Sequence, residues 1–419
     1  MGSMTGYSAY LDWIEYQRPR MEALVAAWSA INSGSYHLAG LARMCAALQE
    51  AFAGLDAFME VRACDAMPRV NAAGQVETIA LGSALHLVKR PDAPVRVFLG
   101  GHMDTVFGQN HPFQVPRRLD DGRLIGPGAA DLKGGLVVML TALEALERSP
   151  FAPGIGWEVL INPDEEIGSP GSARLLEACA RRNHLGLLYE PALENGLLAG
   201  ERKGSGNFTV VVRGRAAHAG RHFEQGRNAI VALAEYVRAL DALNGRRDGV
   251  TINPGKVEGG GPVNIVPDLA ILRFNVRISS PDDRQWVESQ MDDLEQALGR
   301  RDGIRVQRHG GFARPPKPIS PANAQLFAAV AECGRLLDVP IAWQPTGGCC
   351  DGNNLAEAGL PNVDTLGVRG GGIHSDQEFI FLDSLPERAK LSALLLMRLA
   401  VGEVIIGNAA DTDDTPGHT

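Results

Sequence analysis

The stretch Asn162-Pro163-Asp164-Glu165-Glu166-Ile167-Gly168-Ser169 decides the fold. It follows Trp157-Glu158-Val159-Leu160-Ile161, an apolar run of strand length, and precedes a helix-like segment over 172–181. Strand, loop and helix in that order are the repeating step of an α/β sheet, and ligands collect at the carboxyl ends of such strands. Glu165 and Glu166 sit at that end. Neighbouring side chains point different ways, so one could bind a metal while the other handles a proton. The pair also reads as an acidic turn that favours a helix N-terminus. The other strand ends weigh the two readings.

The chain has 419 residues, more than one core of ordinary size accommodates, so two domains are expected. Hydrophobic residues make up 45% and charged residues 21%, the balance of a globular protein. A net charge of −9 argues against nucleic acid or an anionic membrane as the main partner. No apolar run reaches the roughly 18–20 residues that span a bilayer. Met1-Gly2-Ser3-Met4 reads as an added leader before a native Met, and no signal peptide follows it. The six cysteines are scattered and form no Cys-x-x-Cys, so reduced thiols and a cytoplasmic location are expected, with export left open because a leader could be trimmed.

Helical spacing runs over 12–30 and 37–52, and strands are expected at 57–62, 84–89 and 95–99. Gly100-Gly101-His102-Met103-Asp104 ends the last of these, and His102 and Asp104 share one side of an extended segment. A ligating His commonly donates its other ring N–H to a carboxylate, and a strand-end His is also often structural. Asp131 closes Leu124-Ile125-Gly126-Pro127-Gly128-Ala129-Ala130-Asp131 and precedes a helix over 136–147. It fits a helix cap or a metal carboxylate held at a helix start. The glycines there have neither dinucleotide-fold nor Walker spacing. A short strand over 185–189 ends in Glu190, a third strand-end acid. Composition shifts near 201–206, and the order strand, helix, strand, strand, helix, strand over 207–309 is ferredoxin-like. It reads as an insert, with Pro315-Pro316-Lys317-Pro318 marking the return. Helices over 322–337 and 385–401 and a strand over 363–368 complete the first domain, followed by a polar tail from Asn408 expected to be disordered.

His102, Asp131, Glu165, Glu166, Glu190 and His374 all lie at strand ends or loops of the non-inserted part. Imidazole and carboxylate without thiolate suit zinc or a similar divalent ion. Five of them supply two metals if one carboxylate bridges, and the sixth is free to act as a base. Two such ions can polarise a carbonyl for amide hydrolysis.

Taken together, Gly101-His102-Met103-Asp104-Thr105-Val106, Asp131-Leu132-Lys133-Gly134-Gly135, Asp164-Glu165-Glu166-Ile167-Gly168-Ser169, Tyr189-Glu190-Pro191 and His374-Ser375-Asp376 resemble the dizinc aminoacylase/glutamate carboxypeptidase family. That family includes acetylornithine deacetylase and succinyl-diaminopimelate desuccinylase. The resemblance covers nearly the whole chain. It implies an α/β, zinc-exopeptidase-like catalytic domain, a mixed central sheet flanked by helices, in two parts, 1–204 and 315–419. It also implies a ferredoxin-like α+β lid and dimerisation domain over 205–314. By the resemblance, His102 and Glu190 bind one metal, Glu166 and His374 the other, and Asp131 bridges. The metals would be two Zn, or Co or Mn, per subunit. Glu165 would be the general base for the bridging water, and Asp104 would orient His102. The peptide after Asp131 would be cis.

The resemblance further implies that His218, in Ala217-His218-Ala219-Gly220, reaches a partner subunit's site and helps stabilise the oxyanion. Asn264, Arg277 and, more loosely, Arg314 would bind substrate, arginine being suited to a carboxylate. Glutamate at 190 goes with the aminoacylase and carboxypeptidase branch, and the pattern is closest to the glutamate carboxypeptidase type. The expected protein is a homodimeric metallohydrolase that releases an amino acid from an N-acyl amino acid or a C-terminus. The alternatives are an N-acetyl or N-carbamoyl amino-acid amidohydrolase, a small-dipeptide hydrolase, or a non-catalytic binding member. Cys349-Cys350 replaces the family's usual residues before Asp351, and packing is the expected role of these thiols.

Overall fold

The structure, a computed structural model, describes residues 4–407; the polar tail from Asn408 lies outside them. A six-stranded mixed sheet carries the fold. Its order is Phe58–Ala63, Ser83–Lys89, Ile155–Asn162, Val95–His102, Leu185–Leu188 and Asn362–Val363. The first two pairings are antiparallel and the remaining three parallel. Side chains alternate across each strand. Val97, Leu99, Val159, Ile161 and Leu187 therefore enter the large core, whereas Phe98, Leu160 and Leu188 enter the smaller core on the opposite face.

The large core is organised by the Gly134–Arg148 helix, whose first ten residues are all buried. Such a helix, apolar all round, belongs inside a protein. It packs against the Ser384–Ala400, Ser8–Tyr16 and Arg18–Ser29 helices. At about 1.5–3 kcal/mol for each large apolar side chain buried, this layer contributes much of the stability. The opposite face is covered by Ala173–Arg182 and Asp351–Glu357. A Cβ on Gly135 would fall 2.0 Å from the Tyr189 carbonyl oxygen, so only glycine lets this helix start against the strand end that bears Glu190.

A second, four-stranded antiparallel sheet is built from Thr251–Gly259, Leu269–Ile278, Gly204–Arg213 and Arg305–Arg314, in that spatial order. The Ala229–Asp241 and Pro281–Gly299 helices pack on it over a separate core. In chain order the strands lie 2-3-1-4, the ferredoxin-like arrangement. The chain enters this sheet at Gly204 and leaves it at Arg314.

Three expectations are corrected. The helix over 12–30 is two helices, Ser8–Tyr16 and Arg18–Ser29, because Pro19 at the start of the second cannot continue the first. The strand over 363–368 shortens to Asn362–Val363, followed by an isolated bridge between Thr365 and Tyr189. A hairpin, Met67–Val70 with Val76–Ile79, lies between the strands expected at 57–62 and 84–89, where no strand was expected. Its backbone carbonyls at Val70, Ala73 and Gly74 accept from Arg273 and Arg213 of the second sheet. Among the described residues no helix is long and apolar enough to cross a membrane. All six cysteines are free.

Candidate metal centre

The parallel strands deliver their ends to one place. His102 is the last residue of its strand, Glu190 lies just beyond Leu188, and Glu165 and Glu166 open a short turn after Asn162. Asp131 lies in the turn Ala129–Lys133 that leads into the buried helix, and its peptide bond to Leu132 is cis. His374 arrives from the C-terminal part with φ +62, following Gly372 at φ +64. A histidine held in the left-handed region costs about 1–3 kcal/mol and marks a position fixed by its surroundings.

His102, Asp131 and Glu190 bring ligand atoms together, as do Asp131, Glu166 and His374, each group within 4.8 Å. His102 Nε2 lies 3.0 Å from Asp131 Oδ1 and 3.8 Å from Glu190 Oε2. His374 Nε2 lies 3.3 Å from Asp131 Oδ2 and 3.1 Å from Glu166 Oε2. Asp131 thus offers one carboxylate oxygen to each group.

A second layer of carboxylates fixes these side chains. Buried Asp104 accepts from Ser35 Oγ at 2.7 Å and from the backbone N–H groups of Glu165 and Glu166 at 3.1 and 3.2 Å. It also lies 3.3 Å from His102 Nδ1, whose closer partner is the Asp104 carbonyl at 3.0 Å. Asp164 accepts from the backbone of Gly171 and Ser172 and from the Ser172 hydroxyl, closing the turn from the other side. Glu378 accepts from the N–H groups of Gly128, Ala130 and Asp131 at 3.1, 2.9 and 3.0 Å and so sets the Asp131 turn. The sequence alone assigned no role to Glu378 or Asp164, although Asp164 lies in the stretch that decides the fold. Glu378 follows His374 by four residues, but an acid in a Gly-rich loop carries no local pattern that singles it out.

The charges fit cations. Burial raises Glu166 to about 7, and Asp131 adds to the effect. Burial also pushes Glu165 well above the usual carboxylate range, against the pull of Arg314. Burial disfavours charge on His102, but hydrogen bonds to Asp104, Asp131 and Glu190 outweigh it and hold the ring protonated. Hydrogen bonds to Asp131 and Glu166 raise His374 to about 10. Protons on the two imidazoles balance the carboxylates here. A divalent ion in each group would replace them, because ligand sets of this kind bind metal as they release protons.

The remaining expected residues lie apart from these clusters. His218 is exposed, pairing with Ile265 in a two-residue strand, and Asn264 is exposed beside it. Arg277 is half-buried on the second sheet, its Nε donating to Asn275 and its Nη1 to Cys349 Sγ at 2.7 Å. Arg314 is buried and committed. Nη1 donates to Asp351 and Asn354, and Nη2 donates to Glu165 Oε1 at 2.8 Å and Ser169 Oγ at 2.9 Å. Cys350 is buried, and its sulfur caps the Asp351–Glu357 helix by accepting from Gly352 N–H.

Two ligand groups sharing one carboxylate at the ends of parallel strands define a metal-dependent hydrolase of the exopeptidase class. The model of peptidase family M20/M25/M40 matches residues 98–398, and the chain belongs to that family. It is similar to carboxypeptidase G2 of Pseudomonas sp. (strain RS-16), with 29% identity over 325 residues, 73% of this chain and 74% of the relative. It is also similar to the succinyl-diaminopimelate desuccinylase of Nitrosospira multiformis, with 26% identity over 345 residues, 77% of this chain and 89% of the relative. Among solved structures, the di-peptidase Dug1p from Saccharomyces cerevisiae superposes with a TM-score of 0.72 over 95% of this chain and 99% of that one, at 13% identity. That likeness is one of fold. Metal-dependent amide hydrolysis is the chemistry the family and its relatives share with this chain.

Proposed function

We propose that the protein releases an amino acid by hydrolysing the amide of an N-acyl amino acid or of a C-terminal residue. The observation that carries this reading is the disposition of Asp131, with one oxygen toward His102 and Glu190 and the other toward Glu166 and His374. His102, Glu190 and Asp131 would hold one ion and Asp131, Glu166 and His374 the other, zinc being favoured by the imidazole and carboxylate donors. Two ions there would supply Lewis-acid polarisation of the scissile carbonyl and a more acidic water.

The chain's own residues supply the rest. Glu165 stands beside these groups without joining either, and burial lifts its pKa, as a group that takes and returns a proton near neutral pH requires. It would accept the water's proton and pass it to the leaving amine. Asp104 holds the Glu165–Glu166 turn and His102 at once, so it acts through position. Arg277, the half-buried cation on the second sheet, would receive the substrate's α-carboxylate. In this reading the 205–314 segment closes over the cleft as a lid. It also pairs two subunits, which would bring His218 of one chain toward the site of another. Free cysteines fit a reducing, cytoplasmic setting.

Glu190 favours the carboxypeptidase and aminoacylase side, as does the similarity to carboxypeptidase G2. The desuccinylase relative keeps an N-acyl amino-acid amidohydrolase as the second reading. The test is amino-acid release from matched N-acyl substrates of glutamate, aspartate, alanine, leucine and ornithine, with and without chelator. Chelator-sensitive release that favours glutamate or aspartate is expected. A preference for neutral or basic residues would move the protein to the second reading, and no release from metal-loaded protein would overturn the proposal.

A further inference from the structure

A cavity of about 800 Å³ opens between the Pro321–Leu336 and Ser384–Ala400 helices and the loop around Gly196, and none of the metal-centre residues lines it. Its volume is in the range of small-molecule sites. Its lining includes three arginines, Arg335, Arg369 and Arg388, against two carboxylates, Asp338 and Glu387. Glu387 is already engaged, forked by Arg369 through Nε at 3.0 Å and Nη2 at 3.1 Å.

Arg388 is the unusual member. It is 1% exposed and among the largest fully buried side chains. Nη2 donates to the Gly196 carbonyl at 3.0 Å. Among the described residues Nη1 and Nε donate no hydrogen bond, although Nε lies 3.2 Å from Glu387 Oε1. A buried guanidinium with idle donors is costly, and native structures rarely keep such a group without a partner. One carboxylate shared with Arg369 does not neutralise both arginines.

We propose that this cavity is a second ligand site that takes a small oxyanion-bearing molecule, a carboxylate or a phosphate, against Arg388. The planar fork of arginine suits either group. The walls are continuous with two loops that carry residues of the metal centre. Gly196 and Leu197 follow Glu190, and Arg369 precedes His374. The two loops are tied to each other, Gly367 N–H donating to the Glu190 carbonyl at 2.9 Å and Ala192 N–H to the Val368 carbonyl at 3.0 Å. A bound anion would therefore sit against the backbone that positions Glu190 and His374.

The test is calorimetric titration of the metal-loaded full chain with inorganic phosphate and, separately, with succinate. Wild type is compared with Arg388→Met and with Ala342→Trp, a change at an exposed residue of the cavity wall that narrows the space. Wild type binds at least one probe, and each variant weakens that binding at least tenfold. Phosphate alone or succinate alone identifies which oxyanion the site prefers. The proposal is overturned if neither probe binds wild type, or if both variants bind as wild type does, since the anion would then sit at the metal centre. Should Arg388→Met fail to fold, Ala342→Trp alone decides.

Discussion

Replacing Arg314 by Met separates two roles that the sequence leaves together. In the structure Arg314 is 3% exposed, and its guanidinium joins the last strand of the second sheet to Asp351, Asn354, Ser169 and Glu165. Arg314→Met removes the one cation among the described residues that is bonded to Asp351, whose remaining donors there are the Asn162 amide and the Ser169 hydroxyl. Leaving one partner of a buried pair uncompensated costs about 3–5 kcal/mol. The two surviving donors put Asp351 near the lower figure. The lost hydrogen bond to Glu165, a carboxyl already pushed toward its neutral form, adds about 1 kcal/mol. The expected loss is therefore about 4 kcal/mol, a large share of the roughly 5–15 kcal/mol that holds a domain together. Urea unfolding followed by circular dichroism reads it as a lower midpoint. Arg314→Met with Asp351→Asn should recover part of the loss, because no charge is then stranded. The reasoning is refuted if Arg314→Met unfolds within about 1 kcal/mol of wild type while KM rises tenfold, worth about 1.4 kcal/mol of binding. Arg314 would then be a substrate contact and not a strut.

Other outcomes follow from the metal centre and its surroundings. Asp131→Asn should reduce bound metal toward zero because both ligand groups lose a member, whereas His374→Ala should lose one equivalent and keep the other; elemental analysis of the dialysed proteins distinguishes them. Glu165→Gln should lower kcat by about 10²–10⁴-fold with metal content unchanged, and near-normal turnover would remove it as the base. Acid stability carries the mark of Asp364. Burial alone would raise this carboxyl, but Arg202 and Lys317 hold it at about 2. Since the unfolded value is about 3.9, its stabilisation is complete above about pH 4 and is lost as pH falls through about 2. Asp364→Asn should flatten that limb of the stability curve, and an unchanged limb would assign it to other groups.

Much of this arrangement was legible in the sequence because strand ends announce themselves. An apolar run that stops at His102, at Glu165-Glu166 or at Glu190 marks both the strand and the place where it delivers a side chain. The second sheet was equally legible, since its segments over 207–309 follow one another in a regular order of strands and helices. What escaped is what depends on distant pairing. Glu378 holds N–H groups of Gly128, Ala130 and Asp131 far away along the chain, Asp164 holds those of Gly171 and Ser172 across a turn, and Arg314, expected by the resemblance to bind substrate, has ties to Asp351 and Glu165 that only the fold brings together. The hairpin at Met67–Val70 escaped because its strands are four residues each and half of those residues are exposed, with no continuous apolar face to read. The break at Gln17 was readable from Pro19, but the apolar spacing on either side masked it.

The clasp of Gly134–Arg148 by Ser384–Ala400 also sets an order of events during synthesis. The first helix leaves the ribosome with its apolar flank uncovered, and more than half of the chain must follow before its cover arrives. At about 5–20 residues per second that interval is about 10–50 seconds. His374 emerges only at its end, so the second ligand group cannot be complete earlier. Until then only the earlier helices Ser8–Tyr16 and Arg18–Ser29 can cover that flank, and of the two ligand groups the one that needs His374 is the later to be completed.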